Sequence, residues 1–188
     1  MIILLSGYAG SGKDTVADWI CNKYPTFQKL SIASSLKEHT SKKYNFDINL
    51  CYTQEGKKTI IDSEANAGIG NGNATVRDLL IYEAIELKRL HGDDYFINKI
   101  VDVINAHANA NAHYVISDVR YTNEIYRIEN VYRLTTSITT MYVSNTNVTP
   151  SSDPSEHQLD TYEFSYYIDN NSSLDKLYSD LYNKFNFF

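Results

Sequence analysis

The stretch IILLSGYAGSGKDT, residues 2–15, decides the fold. Its first residues form a continuous apolar run, which is typical of a buried parallel strand. The run leads into the spacing Gly7-x-x-x-x-Gly12-Lys13, which is that of a phosphate-binding loop. In such a loop, backbone N–H groups at the start of a helix meet the phosphate oxygens of a nucleotide. The stretch therefore predicts nucleotide binding, with a plain glycine turn beside a solvated lysine as the alternative.

The residue after Lys13 distinguishes this loop from the usual form. That form has Ser or Thr, whose hydroxyl binds magnesium directly, whereas this sequence has Asp14. Because magnesium gives up its waters reluctantly, a carboxylate can hold the hydrated ion and also offset the charge of Lys13. Thr15 follows and can offer its hydroxyl to a phosphate. The pattern favours a small-molecule phosphotransferase over a switch GTPase.

Downstream of the loop, strand patterns alternate with helix patterns. Apolar residues recur at helical spacing from Val16 to Tyr24, and Pro25 ends the helix. The further strands are predicted at 30–33, 113–120, 138–144 and 164–169. The further helices are predicted from 34 or 35, from 75, over 94–108 and 121–134, and from a Ser172–Asp175 capping box onward. This order predicts one α/β domain over 1–188, a three-layer α/β/α fold with a mostly parallel sheet and an inserted helical region.

Composition limits the classes of partner. The net charge is −6, which argues against a broad basic surface for nucleic acid or an anionic membrane. No apolar run approaches the roughly 20 residues of a transmembrane helix. Cys21 and Cys51 lack a metal-ligand spacing and are typical of reduced thiols. We therefore expect a cytoplasmic protein that meets any anionic ligand with a local group of basic side chains.

Two specific stretches carry a resemblance to a known family. GYAGSGKDTVADWI (7–20) and YVISDVRYTNE (114–124) resemble the loop and the D-x-R-x-x-N-E signature of the deoxynucleoside monophosphate kinases of phages and other viruses. This family belongs to the adenylate-kinase-like P-loop kinases. Weaker likenesses follow in the family's order at LSIASSLKE (30–38), ATVRDLL (74–80), DPSEHQLD (153–160) and YIDNNSSLDKL (167–177). The resemblance covers most of the chain.

The resemblance implies transfer of the γ-phosphoryl group of ATP to a deoxynucleoside monophosphate, with Mg²⁺ as cofactor. Lys13 and Arg120 would be catalytic, and Asp14 and Asp118 would hold the magnesium ion through water. For Arg120 a surface salt bridge with Glu124 is the alternative, and for Asp118 it is a capped strand end without a ligand. The residues implied in ATP binding are Gly10, Ser11, Gly12, Lys13, Asp14 and Thr15.

The resemblance also implies an acceptor site, with the inserted helical region at about 34–110. Arg77 and Arg89 lie twelve residues apart on one predicted helix, and we expect them near a common side, where they would grip the acceptor phosphate. The alternatives are solvated arginines, a core role for Tyr95 and a plain loop acid at Glu156. The residues implied in substrate binding are Lys37, Arg77, Arg89, Tyr95, Asp118 and Glu156.

The chain also departs from the family pattern. Longer members place two basic residues in the loop, where this sequence has Ala9 and Gly10, and Asp153 stands where the family has histidine. The polar segment 145–163 is a candidate lid but contains no Lys or Arg, so it is not the usual arginine-bearing lid. We expect 52–74 to be poorly ordered without substrate.

Other functions stay open from the sequence. A related small-molecule kinase, such as one acting on phosphomevalonate, has a similar loop and signature, and a non-catalytic nucleotide-binding or host-interaction protein would also need the loop. The expected partners are ATP and a nucleoside or deoxynucleoside monophosphate, without membrane or nucleic acid; a homodimer is left open. If the chain is viral, its location is the host cytoplasm.

Overall fold

The computed structural model describes residues 1–62, 69, 73–107, 112–150, 152 and 154–185. Five parallel strands form one sheet in the order β2-β3-β1-β4-β5. The strands are β1 Ile2–Ser6, β2 Phe27–Leu30, β3 His113–Ile116, β4 Ile138–Ser144 and β5 Tyr166–Asp169. The helices are α1 Lys13–Lys23, α2 Ala33–Tyr44, α3 Val76–His91, α4 Tyr95–Ala106, α5 Thr122–Tyr132 and α6 Leu174–Phe185. The predicted α/β class with a parallel sheet is confirmed.

β1 lies at the centre of the sheet and is buried on both faces. It pairs with β3 from Ile2 to Leu4 and with β4 along its whole length. Ile3 and Leu5 belong to one buried cluster, whereas the alternate residues Ile2 and Leu4 are equally buried on the opposite face. This explains why the strand reads as an uninterrupted apolar run rather than as an alternation.

The first compact unit comprises residues 1–31 and 100–188. Its core packs α1 and α6 against one face of the sheet. The buried members are Ile3, Leu5, Val16, Ala17, Ile20, Phe27, Val115, Met141, Val143, Ile168, Leu177, Leu181 and Phe185. Burying such side chains contributes about 1.5–3 kcal/mol for each large one, so this cluster fixes β1 and the start of α1.

The second compact unit comprises residues 32–99, and the boundary falls within α4. It contains α2, α3 and the short 3₁₀ helices Ile48–Tyr52 and Gly56–Lys58. Thr75 caps α3 as predicted, since it accepts the N–H of Asp78 while the Asp78 carboxylate accepts the N–H of Thr75. The unit has its own buried cluster of Tyr44, Cys51, Ile61, Ala74, Val76 and Leu79.

Several predicted boundaries are wrong by a few residues. The strand predicted at 30–33 lies at Phe27–Leu30, because Phe27 is the residue that enters the core. The cap predicted at Ser172 is one residue too early: Ser173 Oγ accepts the N–H of Lys176, at 3.3 Å. The strand predicted over 113–120 stops at Ile116.

Two points of the sequence analysis fall partly or wholly outside the described residues. These are the expected poor order of 52–74 and the departure at Asp153. Within the described ranges, none of the helices combines the length and hydrophobicity that crossing a membrane requires.

Candidate active site

The loop between β1 and α1 has a backbone that requires glycine. Gly7 has a φ of 139°, and a Cβ placed there would lie 2.3 Å from the Val143 carbonyl oxygen. Gly12 has a φ of 100°, and its Cβ would lie 2.3 Å from Nδ2 of Asn170. Both positions combine a left-handed conformation with close contact to a neighbouring segment. The two glycines that define the motif spacing are therefore required by the conformation of the loop.

The start of α1 offers hydrogen-bond donors to a ligand. Gly12 is the N-cap and provides no side-chain cap for the N–H groups at the start of α1. Ser11 Oγ is buried and has no hydrogen-bond partner within the described part of the chain. These donors and the positive end of the helix dipole fit an anion such as a nucleotide phosphate.

Lys13 lies folded back over the loop. Its Nζ donates to the carbonyl oxygens of Gly7, at 2.6 Å, and Tyr8, at 2.7 Å. Burial lowers the pKa of Lys13 to about 8, and the nearby Arg120 guanidinium acts in the same direction, while three neighbouring carboxylates partly oppose the shift. Arg120 lines the same small cavity as Gly7, whose carbonyl oxygen accepts from Lys13, so the two residues predicted to be catalytic lie near each other.

Asp14 accepts two hydrogen bonds. Its Oδ1 lies 2.8 Å from Nζ of Lys29 and accepts from Ser117 Oγ at 3.2 Å. Partial burial acts to raise the pKa of Asp14, but Lys29 and Ser117 outweigh it and lower the pKa. Lys29 also pairs with Asp18 at 2.9 Å. The carboxylate at this unusual loop position is thus held charged by a lysine that sequence reasoning missed.

Asp118 follows β3 at the carboxyl edge of the sheet. Its Oδ2 accepts from Ser31 Oγ at 2.7 Å. Within the described ranges, no three His, Cys, Asp or Glu side chains form a metal-binding group. The assignment of Asp14 and Asp118 to a magnesium ion held through water stays a prediction, based on the tendency of this ion to keep several waters and to take its other ligands from phosphates.

Arg120 is held by the turn that follows β3. Glu124 accepts the backbone N–H groups of Arg120, at 2.8 Å, and Tyr121, at 3.0 Å. The Arg120 side chain instead points to the segment after β4, where Nη1 donates to Ser155 Oγ at 3.3 Å and lies 3.8 Å from Glu156 Oε1. The predicted alternative, a salt bridge with Glu124, is therefore replaced by a backbone contact that fixes the turn.

Part of the segment 145–163 contacts the loop. Glu156 Oε2 accepts the N–H of Ala9 at 3.2 Å, and only 9% of the Glu156 side chain is exposed. The hydroxyl of Tyr8 donates to Asp160 Oδ1 at 3.0 Å. A small cavity lies beside these contacts. Its lining includes residues of the glycine loop, of the ends of the strands and of the segment after β4, among them Ser6, Gly7, Arg120, Tyr142, Glu156 and Asp160.

The other candidate substrate residues belong to the second unit and have partners there. Nζ of Lys37 lies 4.4 Å from the centre of the Tyr52 ring. The Tyr95 ring stacks on His91, with 4.7 Å between ring centres. Both are contacts with aromatic rings and leave the amine of Lys37 and the hydroxyl of Tyr95 able to donate to a ligand. The predicted roles of Lys37 and Tyr95 in substrate binding stay predictions.

Ideal helix geometry argues against the expectation that Arg77 and Arg89 share a side of α3. Twelve residues of helix correspond to about 18 Å along the axis and a rotation of about 120°. Arg77 Nη2 donates to Gln54 Oε1 at 2.7 Å, whereas Arg89 pairs with Glu86 at 2.8 Å. The two guanidinium groups thus have different partners, and a joint grip on one phosphate stays a prediction.

Sequence reasoning also missed Asn170. Its Nδ2 donates to the Ser11 carbonyl oxygen at 2.9 Å, and its own N–H donates to Ser144 O at 2.9 Å. Asn170 therefore links the loop to the end of the sheet. The signal available in the sequence was its position directly after the last predicted strand, where ligand sites of parallel sheets lie.

No protein-family model and no curated protein matches this chain. Among solved structures, dephospho-CoA kinase from Campylobacter jejuni is 12% identical, with a TM-score of 0.52 over 98% of this chain and 95% of that chain. Shikimate kinase from Bacteroides thetaiotaomicron is 8% identical, with a TM-score of 0.48 over 99% and 98%. An APS kinase from Mycobacterium tuberculosis is 11% identical, with a TM-score of 0.45 over 97% and 94%.

At these identities the likeness is one of fold, and the first comparison carries it, because only its TM-score exceeds 0.5 among the three. The sheet order β2-β3-β1-β4-β5 and the glycine loop after the central strand agree with it. The chain therefore has the α/β fold of P-loop kinases.

Proposed function

We propose that this protein is a phosphotransferase that moves the γ-phosphoryl group of ATP to a deoxynucleoside monophosphate. The observation that carries the proposal is the placement of Lys13 and Arg120 together beside a loop whose helix start has uncapped N–H donors. Phosphoryl transfer proceeds through a loose, charge-spreading transition state, so that positioning and electrostatic stabilisation provide most of the catalysis. The chain offers both.

In the donor site, the residues from Gly10 to Thr15 would surround the phosphates of ATP. Lys13 would exchange its two carbonyl acceptors for phosphate oxygens, which are stronger acceptors for a cation. Ser11 Oγ, which is buried without a partner in the described part of the chain, would gain one. These changes favour the bound state, because Lys13 exchanges neutral acceptors for charged ones and Ser11 gains a hydrogen-bond partner.

Arg120 would stabilise the moving phosphoryl group. Its backbone is fixed by Glu124 and its side chain remains 43% exposed, so it can reach a ligand at the edge of the sheet. A planar guanidinium matches phosphate oxygens in pairs, which an ammonium does not. An arginine in this role contributes on the order of a thousandfold or more in rate.

Magnesium would be held by Asp14 and Asp118 through its waters. Held there, the ion would supply charge neutralisation during the transfer. Lys29 and Ser117 keep the Asp14 carboxylate oriented and charged, and Ser31 orients Asp118. The side chains present therefore fit a hydrated ion better than a directly bound one.

The acceptor assignment depends mainly on the resemblance in sequence. Arg77 is the arginine in the stretch ATVRDLL and is the stronger candidate for the acceptor phosphate, because its neutral partner Gln54 is easier to exchange than the carboxylate that holds Arg89. Lys37, Tyr95 and Glu156 stay in the proposed substrate set. The segment 145–163 is the proposed lid over ATP.

The test is a panel of nucleoside and deoxynucleoside monophosphates, each incubated with magnesium ATP and assayed for ADP release and for the diphosphate product. We expect turnover with at least one deoxynucleoside monophosphate. Turnover with phosphomevalonate and with no nucleotide would instead assign the related small-molecule kinase.

A non-catalytic nucleotide-binding protein is distinguished by Lys13→Met. Only an enzyme loses turnover on this change, whereas binding weakens in either case. Lys42→Met, at an exposed position, is the matched control. ATP binding without turnover on the whole panel would refute the proposed reaction.

A further inference from the structure

Glu156 places a carboxylate on two of the donors that surround the loop. Oε2 accepts the N–H of Ala9 at 3.2 Å, and Oε1 lies 3.8 Å from Nη1 of Arg120. The side chain is 9% exposed, so the charge is largely removed from water. Burial of a charged group is costly unless donors compensate it, and here the donors are a loop amide and a guanidinium.

These are the kinds of donor that also bind phosphate. A carboxylate and a phosphate are both anionic acceptors, and two of them cannot share one N–H and one guanidinium without repulsion. Glu156 is close enough to Lys13 to raise its pKa against the effect of burial. An anion arriving at the loop therefore meets a negative side chain already in place.

We infer that Glu156 is an internal competitor for the phosphates of the nucleotide, held on the loop in the free protein and displaced from Ala9 when ATP binds. The inference rests on the proposed function, because it takes the loop as the ATP site. It adds that Glu156 lowers the affinity for ATP below the value that the loop alone would give. Glu156 is 147 positions away in sequence from Ala9, its partner in the loop.

The surrounding contacts explain what holds Glu156 there. Ser155 Oγ accepts from Arg120 at 3.3 Å, and the Tyr8 hydroxyl donates to Asp160 at 3.0 Å. The Tyr8 and His157 rings lie 5.6 Å apart, centre to centre. These contacts fix residues 155–160 against the loop without using the Ala9 amide. Removing the Glu156 charge therefore leaves residues 155–160 in contact with the loop. It changes only the acceptor that the Ala9 N–H and the Arg120 guanidinium meet.

The experiment compares Glu156→Gln with the wild type by isothermal titration of magnesium ATP in the absence of any acceptor. Glutamine keeps the size of the side chain but loses the charge. We expect E156Q to bind ATP about tenfold more tightly, because the ligand no longer displaces an anion. Glu163→Gln removes one negative charge at an exposed position in the same part of the sequence. We expect the ATP affinity of this control to stay within about twofold of the wild type.

Unchanged or weaker ATP binding by E156Q would overturn the inference. Such a result together with a lower kcat would make Glu156 a positioning residue for Arg120 instead. Circular dichroism checks that the variant is folded. If E156Q does not fold, Glu156→Asp is used instead, because it keeps the charge but shortens the side chain by one methylene. We then expect Glu156→Asp to bind ATP more tightly than the wild type. Unchanged binding would overturn the inference.

The outcomes separate this inference from the proposed function. Tighter binding by E156Q without transfer to any monophosphate supports the competitor and refutes the reaction. Equal ATP affinity in the two proteins, with transfer intact, refutes the competitor alone. An absence of ATP binding in both proteins refutes both.

Discussion

At the scale of single residues, the pKa of Lys13 links the loop to a measurable pH dependence. Its value of about 8 in the nucleotide-free protein lies below the ordinary 10.5, because the amine is buried and lies near Arg120. The unfolded chain therefore binds the extra proton between these two values, and stability of the free protein rises with pH across that window. Bound phosphates act in the opposite direction and favour the charged amine.

The first prediction concerns ATP binding as a function of pH. As pH rises through about 8, free Lys13 loses its proton while bound Lys13 keeps it, so affinity falls by up to about tenfold per pH unit. Isothermal titration over about pH 7–9.5 measures the slope. Lys13→Arg stays charged throughout and should show a flatter profile over this range. A wild-type profile as flat as that of the arginine variant would contradict the assignment of Lys13 to the phosphates.

The second prediction concerns Arg120. Arg120→Ala should lower kcat by on the order of a thousandfold while changing the KM for ATP far less, because the guanidinium acts on the moving group rather than on bound ATP. Steady-state kinetics with the best acceptor measure both constants. Arg133→Ala, at an exposed arginine, is the control. An unchanged kcat in R120A would remove Arg120 from the catalytic residues.

At the scale of elements, Glu83 connects α2 to α3 in the second unit. Its carboxylate is 1% exposed and accepts from Tyr44 Oη at 2.7 Å, Lys43 Nζ at 2.7 Å and His39 Nε2 at 2.8 Å. Burial acts to raise the pKa of Glu83, but its donors, led by Lys43, lower it. The depressed pKa means that this stabilisation is present at neutral pH and is lost as pH falls below the ordinary range of a glutamate.

The third prediction is that Glu83→Ala lowers the free energy of unfolding by about 2–3 kcal/mol, because the buried Tyr44 hydroxyl loses its acceptor and a cavity remains. Urea denaturation at neutral pH measures the loss. Glu86→Ala, which breaks only the surface pair with Arg89, should cost far less. Equal losses in the two variants would show that the buried carboxylate does not hold α2 to α3.

The elements themselves were predictable where local pattern decides them. The run from Ile2 to Ser6 is buried on both faces of the sheet, and its uninterrupted apolar sequence predicts this. The cap of α3 is specified by Thr75 and Asp78, which are three residues apart. The cap of α6 was misplaced because Ser172 and Ser173 are adjacent and both suit an N-cap. Local signals thus predict that an element exists more reliably than where it begins.

The site was predictable only in part, for a physical reason. The loop, Asp118 and Arg120 lie at the ends of strands, and the topology of a parallel sheet brings such ends to one edge. The partners of these groups come from distant segments: Glu156 bonds to Ala9, and Lys29 to Asp14. Nothing in the local sequence specifies such tertiary contacts, so the charges that tune the site could not be predicted.

At the scale of the whole molecule, a chain with a net charge of −6 has both cations and carboxylates around its glycine loop. Lys13 and Arg120 lie there beside the uncapped start of α1, and carboxylates from distant segments balance them. Under the proposed function and the inference on Glu156, the phosphates of ATP would exchange with one of these carboxylates. The account accordingly depends on where the phosphates of ATP bind.

The most direct test is a crystal structure of the protein with magnesium and a non-hydrolysable ATP analogue. The account predicts that the phosphates lie in the loop between Gly7 and Lys13, with Nζ of Lys13 within hydrogen-bonding distance of a phosphate oxygen and no longer bonded to the carbonyl oxygens of Gly7 and Tyr8. An analogue bound elsewhere, with Lys13 still on those two carbonyl oxygens, would contradict it.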